Sequence, residues 1–505
     1  MRLPLIRAVA AAVSAAVALT ACSLTSEPFT PSENGAMPPG REALTRFYEQ
    51  KLVWSDCEGG QCSDLEVPLD YATPDGETIR IAVFRAPARK AGSRRGSLVV
   101  NPGGPGASGV DYARAADYIV TPQIRNVYDV VGFDPRGVAR SAPIDCVSDR
   151  GLDRFLGQDP TPDDTAEQRE FAATSKAFAT ECGRTAGPLL GHVSTREAAQ
   201  DMDVLRAALG DDQLTYLGKS YGTFLGATYA EEFPEQAGRL VLDGAVAPDL
   251  TSEQFAIGQG QGFDRATRQW AADCADSGEC PWNGDADNVV AGLQTLLTRL
   301  DETPLPLSDG RPDLTEGWAS LGVAQAMYDQ GMWAALTQAL RDVQNGDGAA
   351  LMDLADQYAE RNADGTYSGN IMEAIYAVNC LDSAESASLD HYRKMEPAVT
   401  KAAPIWGEFM VWGSMVCGFW PEKATGKAGP IAAKGAAPIL VVGTTRDPAT
   451  PYEWAQRLAG QLDQATLLTY DGDGHTAYMR SNNCVNDAVD RYWLEGTLPA
   501  DGTRC

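Results

Sequence analysis

Histidine is the scarcest chemically versatile residue in this chain, with three copies among 505 residues. Any reaction that needs an imidazole must therefore use His192, His391 or His475. A zinc site is not indicated, because the cysteine spacings do not match zinc-binding patterns and His192 and His391 have no close cysteine neighbours. The sequence predicts neither a metal nor any other cofactor.

Basic residues and long apolar runs are also scarce. Lys and Arg number 41 against 69 Asp and Glu, which gives a formal net charge of −28. Such a surface repels phosphate groups, so nucleic acid and an anionic membrane surface are excluded as partners. The clearest apolar run, residues 8–19, is too short to span a bilayer as a helix. These features suit a soluble extracellular domain.

The N-terminus has the pattern of an export signal. Arg2 and Arg7 precede the apolar run, which ends in Leu-Thr-Ala-Cys at residues 19–22. This ending resembles a bacterial lipobox, which implies removal of residues 1–21 and diacylation of Cys22. The protein would then be anchored by lipid to the outer face of the cell membrane, with a secreted fraction. A plain signal peptide is the alternative. Residues 22–41, rich in Ser, Thr, Pro and Gly, are predicted to be a flexible tether.

Cysteine is abundant enough to indicate disulfides. Eleven are present, and setting aside Cys22 leaves ten, an even number typical of an exported protein with five disulfides. Ten cysteines allow many pairings, so the connectivity stays open. Pairing neighbours in sequence order gives Cys57–Cys62, Cys146–Cys182, Cys274–Cys280, Cys380–Cys417 and Cys484–Cys505.

The most informative motif is Gly-Lys-Ser-Tyr-Gly at residues 218–222. An apolar run at 214–217 precedes it and a small-residue stretch at 223–230 follows, which predicts a strand, a sharp turn and a helix. Such a turn exposes a serine hydroxyl at the end of a sheet. With 50 glycines the motif alone could arise by chance, but its context favours Ser220 as a nucleophile.

A serine nucleophile requires a base, and His475 has the right context. It lies in a Gly/Asp loop after the strand-like residues 465–470, near the C-terminus. His192 lies upstream of the serine, and His391 lies in a polar stretch that indicates an exposed helix. The order serine, acid, histidine is typical of α/β-hydrolases. His475 is therefore the predicted base.

The acid should follow another strand between the serine and the histidine. The apolar run 438–443 predicts a buried parallel strand and leads to Asp447, which would orient His475. The alternative is a structural turn aspartate before a proline. Thr450 would hydrogen-bond into this loop and support the acid, or simply cap the next helix.

Two backbone N–H groups should stabilise an oxyanion. One belongs to Tyr221, the residue after the nucleophile. The other should come from Asn-Pro-Gly-Gly-Pro-Gly at residues 101–106, which follows the predicted strand 97–100. Glycine lets the backbone approach a ligand closely there. Gly104 is the predicted donor, with Gly103 as the alternative.

Strands and helices alternate along most of the chain, which predicts a parallel, doubly wound α/β sheet. The predicted strands are residues 78–84, 97–100, 127–133, 214–217, 239–243, 438–443 and 465–470. Helical patterns dominate residues 248–434, which hold seven of the ten tryptophans. We therefore divide the α/β domain into a first part at 42–247 and a second at 435–505, separated by a helical insertion at 248–434.

Several of these motifs resemble one family of proteins. Residues 101–106 resemble the Gly/Pro loop of prolyl-aminopeptidase-like α/β-hydrolases, and residues 132–141 resemble the Asp-x-Arg-Gly-x-x-x-Ser segment after their next strand. With residues 218–222, Asp447 and His475, the chain resembles the tripeptidyl aminopeptidase branch of actinobacteria. Asn and Pro replace the histidine that prolyl aminopeptidases carry before the double glycine. We expect the oxyanion hole to be unaffected, because its donor is backbone.

The resemblance implies an α/β-hydrolase fold in which residues 248–434 form a lid over the active site. It implies a metal-free exopeptidase that releases short peptides, tripeptides above all, from the free N-termini of peptide or protein substrates. The oligomeric state stays open, with a monomer favoured. An esterase on the same triad is the alternative. A non-catalytic envelope protein is disfavoured by the intact Ser220, Asp447 and His475.

An aminopeptidase must bind the substrate's α-ammonium group with a carboxylate that is partly shielded from water. The family carries a similar Cys-x-Asp, so the resemblance favours Asp382, which follows Cys380 by two residues. Glu373, Asp249 and Glu253 are the other predicted anchors. All four could equally be ordinary surface carboxylates. The lid tryptophans would line a substrate pocket or, more simply, form the core of the lid.

Overall fold

A computed structural model describes residues 35–505. The predicted signal peptide, Cys22 and residues 22–34 of the tether lie outside the described residues. The prediction of a tether as far as residue 41 is wrong, because the chain already packs at Gly35. The N–H of Gly35 donates to the carbonyl of Ala207 over 2.8 Å, and the Arg206 guanidinium donates to the carbonyl of Ala36 over 2.9 Å. None of the helices within residues 35–505 combines the length and the hydropathy that a membrane-spanning helix requires.

The described residues form one nine-stranded sheet. Its strands are β1 (Ser55–Cys57), β2 (Gly60–Pro68), β3 (Thr78–Ala86), β4 (Gly96–Asn101), β5 (Tyr128–Phe133), β6 (Leu214–Lys219), β7 (Ala237–Asp243), β8 (Ile439–Arg446) and β9 (Ala465–Asp473). Their order is β1-β2-β3-β5-β4-β6-β7-β8-β9. The six strands from β5 to β9 in this order are parallel, and the first three are antiparallel. The predicted mostly parallel sheet is confirmed.

All seven predicted strands are present, and β1 and β2 are additional. These two were missed because β1 is short and polar and β2 buries only some of its residues, so neither has the apolar run of a buried parallel strand. The central strands show why the other seven strands could be predicted from the sequence. Leu98 and Val100 face one side of the sheet and Val99 faces the other, and all three are buried because helices cover both faces.

Helices of the α/β domain cover the two faces of the sheet. They are α1 (Thr45–Tyr48), α2 (Gly109–Arg114), α3 (Ala116–Ile119), α4 (Pro122–Val127), α7 (Thr195–Ala208), α8 (Tyr221–Glu232), α18 (Tyr452–Gln461) and α19 (Asn483–Glu495). One apolar cluster packs against α1, α7, α8 and α18, and the other against α2, α3, α4 and α19. Ser194 and Glu197 form a capping box that starts α7.

The chain between β7 and β8 is helical, and we call this segment the lid. Its helices are α9 (Ser252–Ser277), α10 (Ala286–Glu302), α11 (Glu316–Met327), α12 (Trp333–Gln344), α13 (Ala349–Ala359), α14 (Ile371–Asp382), α15 (Leu389–Ala402), α16 (Gly407–Trp412) and α17 (Met415–Gly418). Six of its seven tryptophans are buried in apolar clusters, and Trp282 is partly buried against one of them. They form the lid core.

The lid also contains a segment that the sequence assigned to the α/β domain. Helices α5 (Asp149–Leu156) and α6 (Thr165–Ala186) share one apolar cluster with the lid helices. The Phe155 ring stacks on Phe178 at 4.2 Å and meets Tyr376 of α14 edge-on at 5.4 Å. The assignment of all of residues 42–247 to the α/β domain is therefore wrong. The apolar faces of α5 and α6 are buried against a lid segment about 200 residues further along the chain.

The ten described cysteines form five disulfides, and the pairs are the sequence neighbours predicted. Cys146–Cys182 fastens α6 to the loop after β5, and Cys380–Cys417 joins α14 to α17. Cys484–Cys505 ties the final residue to α19. The disulfides therefore fix the segment before α5, two lid helices and the helix that follows residues 474–482. We call residues 474–482, which carry His475, the histidine loop.

Candidate active site

Ser220 lies at the turn between β6 and α8, as the motif predicts. Its backbone has φ 55° and ψ −127°, a conformation that residues other than glycine adopt only under strain. The flanking glycines are required by close packing. A Cβ atom on Gly218 would lie 2.2 Å from the carbonyl oxygen of Gly222, and one on Gly222 would lie 2.8 Å from that of Asn101. The turn therefore holds the serine where a nucleophile is expected.

Asp447 and His475 meet at the ends of β8 and β9. The His475 Nδ1 lies 2.8 Å and 3.0 Å from the two carboxylate oxygens of Asp447, which is fully buried. Asp447 also accepts the N–H groups of Ala449, Thr450 and Thr476. A carboxylate held by so many donors fixes the imidazole with its Nδ1–H towards the acid.

The other ring nitrogen of His475, Nε2, makes no hydrogen bond to Asp447. Nε2 is buried and has no hydrogen-bond partner in the part of the chain that the structure describes. The Thr450 hydroxyl lies 3.3 Å from Nδ1, and the Thr450 N–H donates to Asp447 over 2.8 Å. Thr450 therefore contacts both Asp447 and His475, and its support of the acid loop stays a prediction. The other two histidines lie elsewhere: His192 pairs with Glu197 at 2.8 Å, and His391 is exposed on α15.

The glycine loop after β4 packs directly against the serine turn. A Cβ atom on Gly103 would lie 2.8 Å from the Ser220 Cβ and 3.1 Å from the Tyr221 nitrogen. The Gly103 N–H already donates to the Asn101 side chain over 3.0 Å, so Gly104 stays the predicted oxyanion donor. Tyr221 is the first residue of α8, where backbone N–H groups have no partner within the helix.

The lid touches the site on two sides. On one side the His475 N–H donates to the Tyr328 carbonyl over 2.9 Å, and the two rings meet edge-on at 5.2 Å. On the other side α14 lies against the glycine loop, where a Cβ atom on Gly106 would lie 2.9 Å from the Ala374 Cβ. The lid therefore contacts both the loop that carries His475 and the glycine loop.

Asp382 is connected to the residue after the predicted nucleophile. Its carboxylate accepts the Thr195 N–H over 2.9 Å and the Thr195 hydroxyl, which also lies 2.6 Å from the Tyr221 hydroxyl. Burial raises the pKa of Asp382 to about 7, against opposing hydrogen bonds from Thr195, and the nearby Glu197 raises it further. Within residues 35–505 no Lys or Arg is among the groups that shift this pKa. Asp382 is thus a partly shielded carboxylate that has no cationic partner among the described residues.

The other three predicted anchors differ in their surroundings. Glu373 is buried and accepts the N–H groups of Cys146 and Val147, and burial raises its pKa to about 7. Asp249 is already paired with Arg457 at 2.7 Å, and Glu253 is exposed at the start of α9. Asp249 and Glu253 therefore lack the expected property of a shielded carboxylate free to take a cation, and we withdraw them.

The sequence reading missed two buried charges beside the predicted triad residues. Lys219, immediately before Ser220, lies 3.7 Å from Asp243, the last residue of β7, and both are buried. The sequence did contain a signal for this pair, because a charged residue ends each of two apolar strands. A charge in such a buried position usually has a partner of opposite charge.

The described residues contain one cluster whose side chains are close enough to hold a cation, namely Asp159, Glu167 and Asp301. These carboxylates belong to the lid segments around α6 and α10, and not to the site around Ser220. An isolated group of acidic side chains is common without a bound ion. It gives no role to a metal in the site.

The chain is similar to known proteins over most of its length. A family model described as TAP-like protein matches residues 403–505. Serine protease Hip1 of Mycobacterium tuberculosis is 37% identical over 483 residues, which cover 90% of this chain and 91% of that protein. Carboxylesterase B of the same species is 40% identical over 461 residues, with coverages of 89% and 87%. Tripeptidyl aminopeptidase of Streptomyces lividans is 34% identical over 479 residues, with coverages of 92% and 88%.

Fold and relatives together define a serine hydrolase of the α/β-hydrolase class. The mostly parallel sheet, the serine turn after β6 and the helical lid all belong to this class. The chain belongs to the tripeptidyl aminopeptidase family of serine peptidases. The family resemblance seen in its motifs is therefore confirmed.

Proposed function

We propose that Ser220, His475 and Asp447 form the catalytic triad. The observation that carries this proposal is the Asp447–His475 pair, which fixes Nδ1 and leaves the buried Nε2 without a partner in the described chain. The histidine loop also packs against the serine turn, since the Lys219 ammonium group donates to the Tyr478 carbonyl over 2.7 Å. A base placed beside a strained serine activates its hydroxyl.

Each group then has one task in acyl transfer. The Ser220 hydroxyl attacks the substrate carbonyl while His475 Nε2 takes its proton, and Asp447 stabilises the imidazolium that forms. The N–H groups of Tyr221 and Gly104 stabilise the oxyanion. His475 returns the proton to the leaving amine, which departs and leaves an acyl-enzyme on Ser220. Water, activated by His475, releases the acyl group and restores the serine.

The proposed substrate is a peptide with a free N-terminus, from which the enzyme releases tripeptides. The name of the Streptomyces lividans relative supports this choice. So do the lid carboxylates Asp382 and Glu373, which are shielded from water and lack a cationic partner among the groups that shift their pKa values. A substrate ammonium group would supply the missing positive charge.

A pair of matched substrates tests the proposal. A tripeptide p-nitroanilide with a free N-terminus and its N-acetylated form are compared at pH 8, with Ser220→Ala as the control. Cleavage of the free form alone, lost in the variant, supports an aminopeptidase. Equal cleavage of both forms contradicts ammonium recognition and indicates an endopeptidase.

Asp382→Asn is expected to raise KM for the free tripeptide about 30-fold, because a lost charge pair in a shielded site typically costs about 2 kcal/mol. KM for the acetylated form should hardly change. The pKa of about 7 also sets a pH dependence, since the carboxyl is neutral at lower pH and cannot attract an ammonium ion. KM for the free form should therefore rise as the pH falls below about 7 in the wild type and stay flat in the variant.

Glu253→Gln, which removes an exposed lid carboxylate, is the matched control for Asp382→Asn. Glu373→Gln tests the second shielded carboxylate in the same assay. An equal loss of activity towards both substrates in Asp382→Asn would assign Asp382 only the task of holding Thr195 and Tyr221.

An esterase is the second candidate function, and the 40% identity with a carboxylesterase is the observation that favours it. The triad chemistry is the same for an ester, so only the lid distinguishes the two substrates. Turnover of simple p-nitrophenyl esters with no cleavage of either peptide would establish this function instead.

We also propose that the protein is exported and lipid-anchored through Cys22. Five disulfides support an oxidising compartment outside the cytoplasm. In the native host, an alkyne-labelled fatty acid should be incorporated into the wild-type protein and not into Cys22→Ser. Equal incorporation into both would contradict anchoring at this residue, and none into either would indicate a plain signal peptide.

A further inference from the structure

A buried charge pair joins the serine turn to the histidine loop. Lys219 directly precedes Ser220, and its ammonium group donates to the carbonyl of Tyr478, three residues after His475, over 2.7 Å. The same ammonium group lies 3.7 Å from the Asp243 carboxylate. Both side chains are buried, so neither charge is solvated by bulk water. Protein groups, and not water, therefore surround both charges.

Asp243 contacts both segments at once. Its carboxylate accepts the N–H groups of Ala477 and Tyr478, each over 2.9 Å, and its backbone carbonyl accepts the Ser220 N–H over 3.0 Å. One residue at the end of β7 thus holds the serine turn through its backbone and the histidine loop through its side chain. Lys219 completes the connection by holding the Tyr478 carbonyl.

The histidine loop needs such support because its backbone is strained. Thr476 has φ 66° and Met479 has φ 63°, values that residues with a side chain adopt at a cost. The N–H of Thr476 is taken by Asp447, and those of Ala477 and Tyr478 are taken by Asp243. Buried carboxylates therefore hold three successive amides directly after the proposed base.

We propose that Lys219 and Asp243 are a positioning pair that keeps His475 in register with Ser220 and balances the charge around its ring. This inference rests on the proposed triad. The negative charge of Asp243 interacts with His475, and the Lys219 ammonium group, 3.7 Å from the Asp243 carboxylate, offsets that charge. The charged and titratable groups around the histidine loop among the described residues are Asp447, Asp243, Lys219, Asp473 with its partner Arg446, Arg480 with its partner Asp329, Asp490 with its partner Tyr478, Tyr112 and Tyr328.

The two members of the pair should have opposite effects on the pH profile. Without the ammonium group, in Lys219→Met, the negative charge of Asp243 favours the imidazolium. The acid limb of kcat/KM, which reports protonation of the base, should then move up by roughly 0.5–1 pH unit. Asp243→Asn should move the acid limb down by a similar amount. Both should lower kcat about 10–100-fold through misplacement of the histidine loop.

A chromogenic ester, p-nitrophenyl acetate, is the substrate of choice for this test. It requires the triad but not peptide recognition, so the outcome does not depend on whether the enzyme is an aminopeptidase. Labelling of Ser220 by a fluorophosphonate is measured in parallel. Failure of the wild type to label or to hydrolyse the ester would overturn the triad itself, whereas an active wild type with unshifted variants would overturn only the pair.

Lys401→Met, which removes an exposed lysine of α15, controls for the loss of one positive charge. Its pH profile and rate should match the wild type. A double variant, Lys219→Met with Asp243→Asn, should return the acid limb close to its wild-type position while the rate stays low. Shifts in the same direction for both single variants, or none, would contradict the charge balance. If Asp243→Asn does not fold, the upward shift in Lys219→Met and its absence in Lys219→Arg decide the question.

Discussion

Replacing Asp447 with asparagine is expected to lower kcat about 10⁴-fold with little change in KM, as the loss of a triad carboxylate does elsewhere. The carboxylate accepts the His475 Nδ1–H over 2.8 Å and is fully buried. An asparagine can turn its NH₂ group towards Nδ1, which favours the tautomer with the proton on Nε2. That nitrogen could no longer accept the proton of Ser220, and the imidazolium would lose its counter-charge.

The fold should survive this change with some loss of stability, because asparagine has the same size and shape as aspartate but its NH₂ group must face at least one of the backbone N–H groups that the two Asp447 oxygens accept. The measurement is kcat for the free tripeptide p-nitroanilide, with thermal unfolding as a check of folding. Asp471→Asn is the matched control, since Asp471 is an exposed carboxylate on the neighbouring strand β9. A loss below tenfold with a folded protein would show that Asp447 is not the acid of the triad.

Ser220→Ala is expected to have an even larger effect, about 10⁶-fold in kcat, because no covalent intermediate can form. The alanine should fit, since it removes only one oxygen atom from a turn that glycines already accommodate. Substrate binding should persist, because the lid carboxylates and the oxyanion donors are untouched. The variant should therefore retain its affinity for a peptide product while losing turnover.

Covalent labelling makes this prediction specific to one residue. A fluorophosphonate should add one label to the wild-type protein, and peptide mapping should place it on Ser220. Ser93→Ala, at an exposed serine far along the chain from the motif, should label and turn over like the wild type. Labelling of Ser220→Ala at the wild-type rate would mean that another residue is the nucleophile.

The residues of the proposed triad could be predicted from the sequence because each element of the site is local. A strand followed by Gly-x-Ser-x-Gly and a small-residue helix specifies the turn at Ser220 without help from distant segments. Asp447 and His475 also follow directly from apolar strands, and the carboxyl ends of parallel strands meet at one edge of a sheet. Neighbouring cysteines paired because short loops bring them together with little entropy loss.

The sequence failed where a property depends on what another segment does. Helices α5 and α6 have the same local pattern whether they cover the sheet or the lid, and only their contact with α14 places them in the lid. Asp249 and Asp382 look alike as acidic residues of the lid region. Arg457, some 200 residues away, pairs with the first, and no cationic group shifts the pKa of the second within the described residues.

By itself, then, the sequence determined the serine turn, the proposed base and acid, the parallel sheet and the cysteine neighbours, since each is written in adjacent residues. The tertiary structure alone decided which segments pack with the lid, and which lid carboxylates are partly shielded and have no cationic partner among the described residues. It also brought Lys219 and Asp243 together beneath the histidine loop. The reason is physical: hydrogen-bond geometry and secondary-structure periodicity act over a few residues, whereas burial and charge pairing depend on segments that only folding makes neighbours.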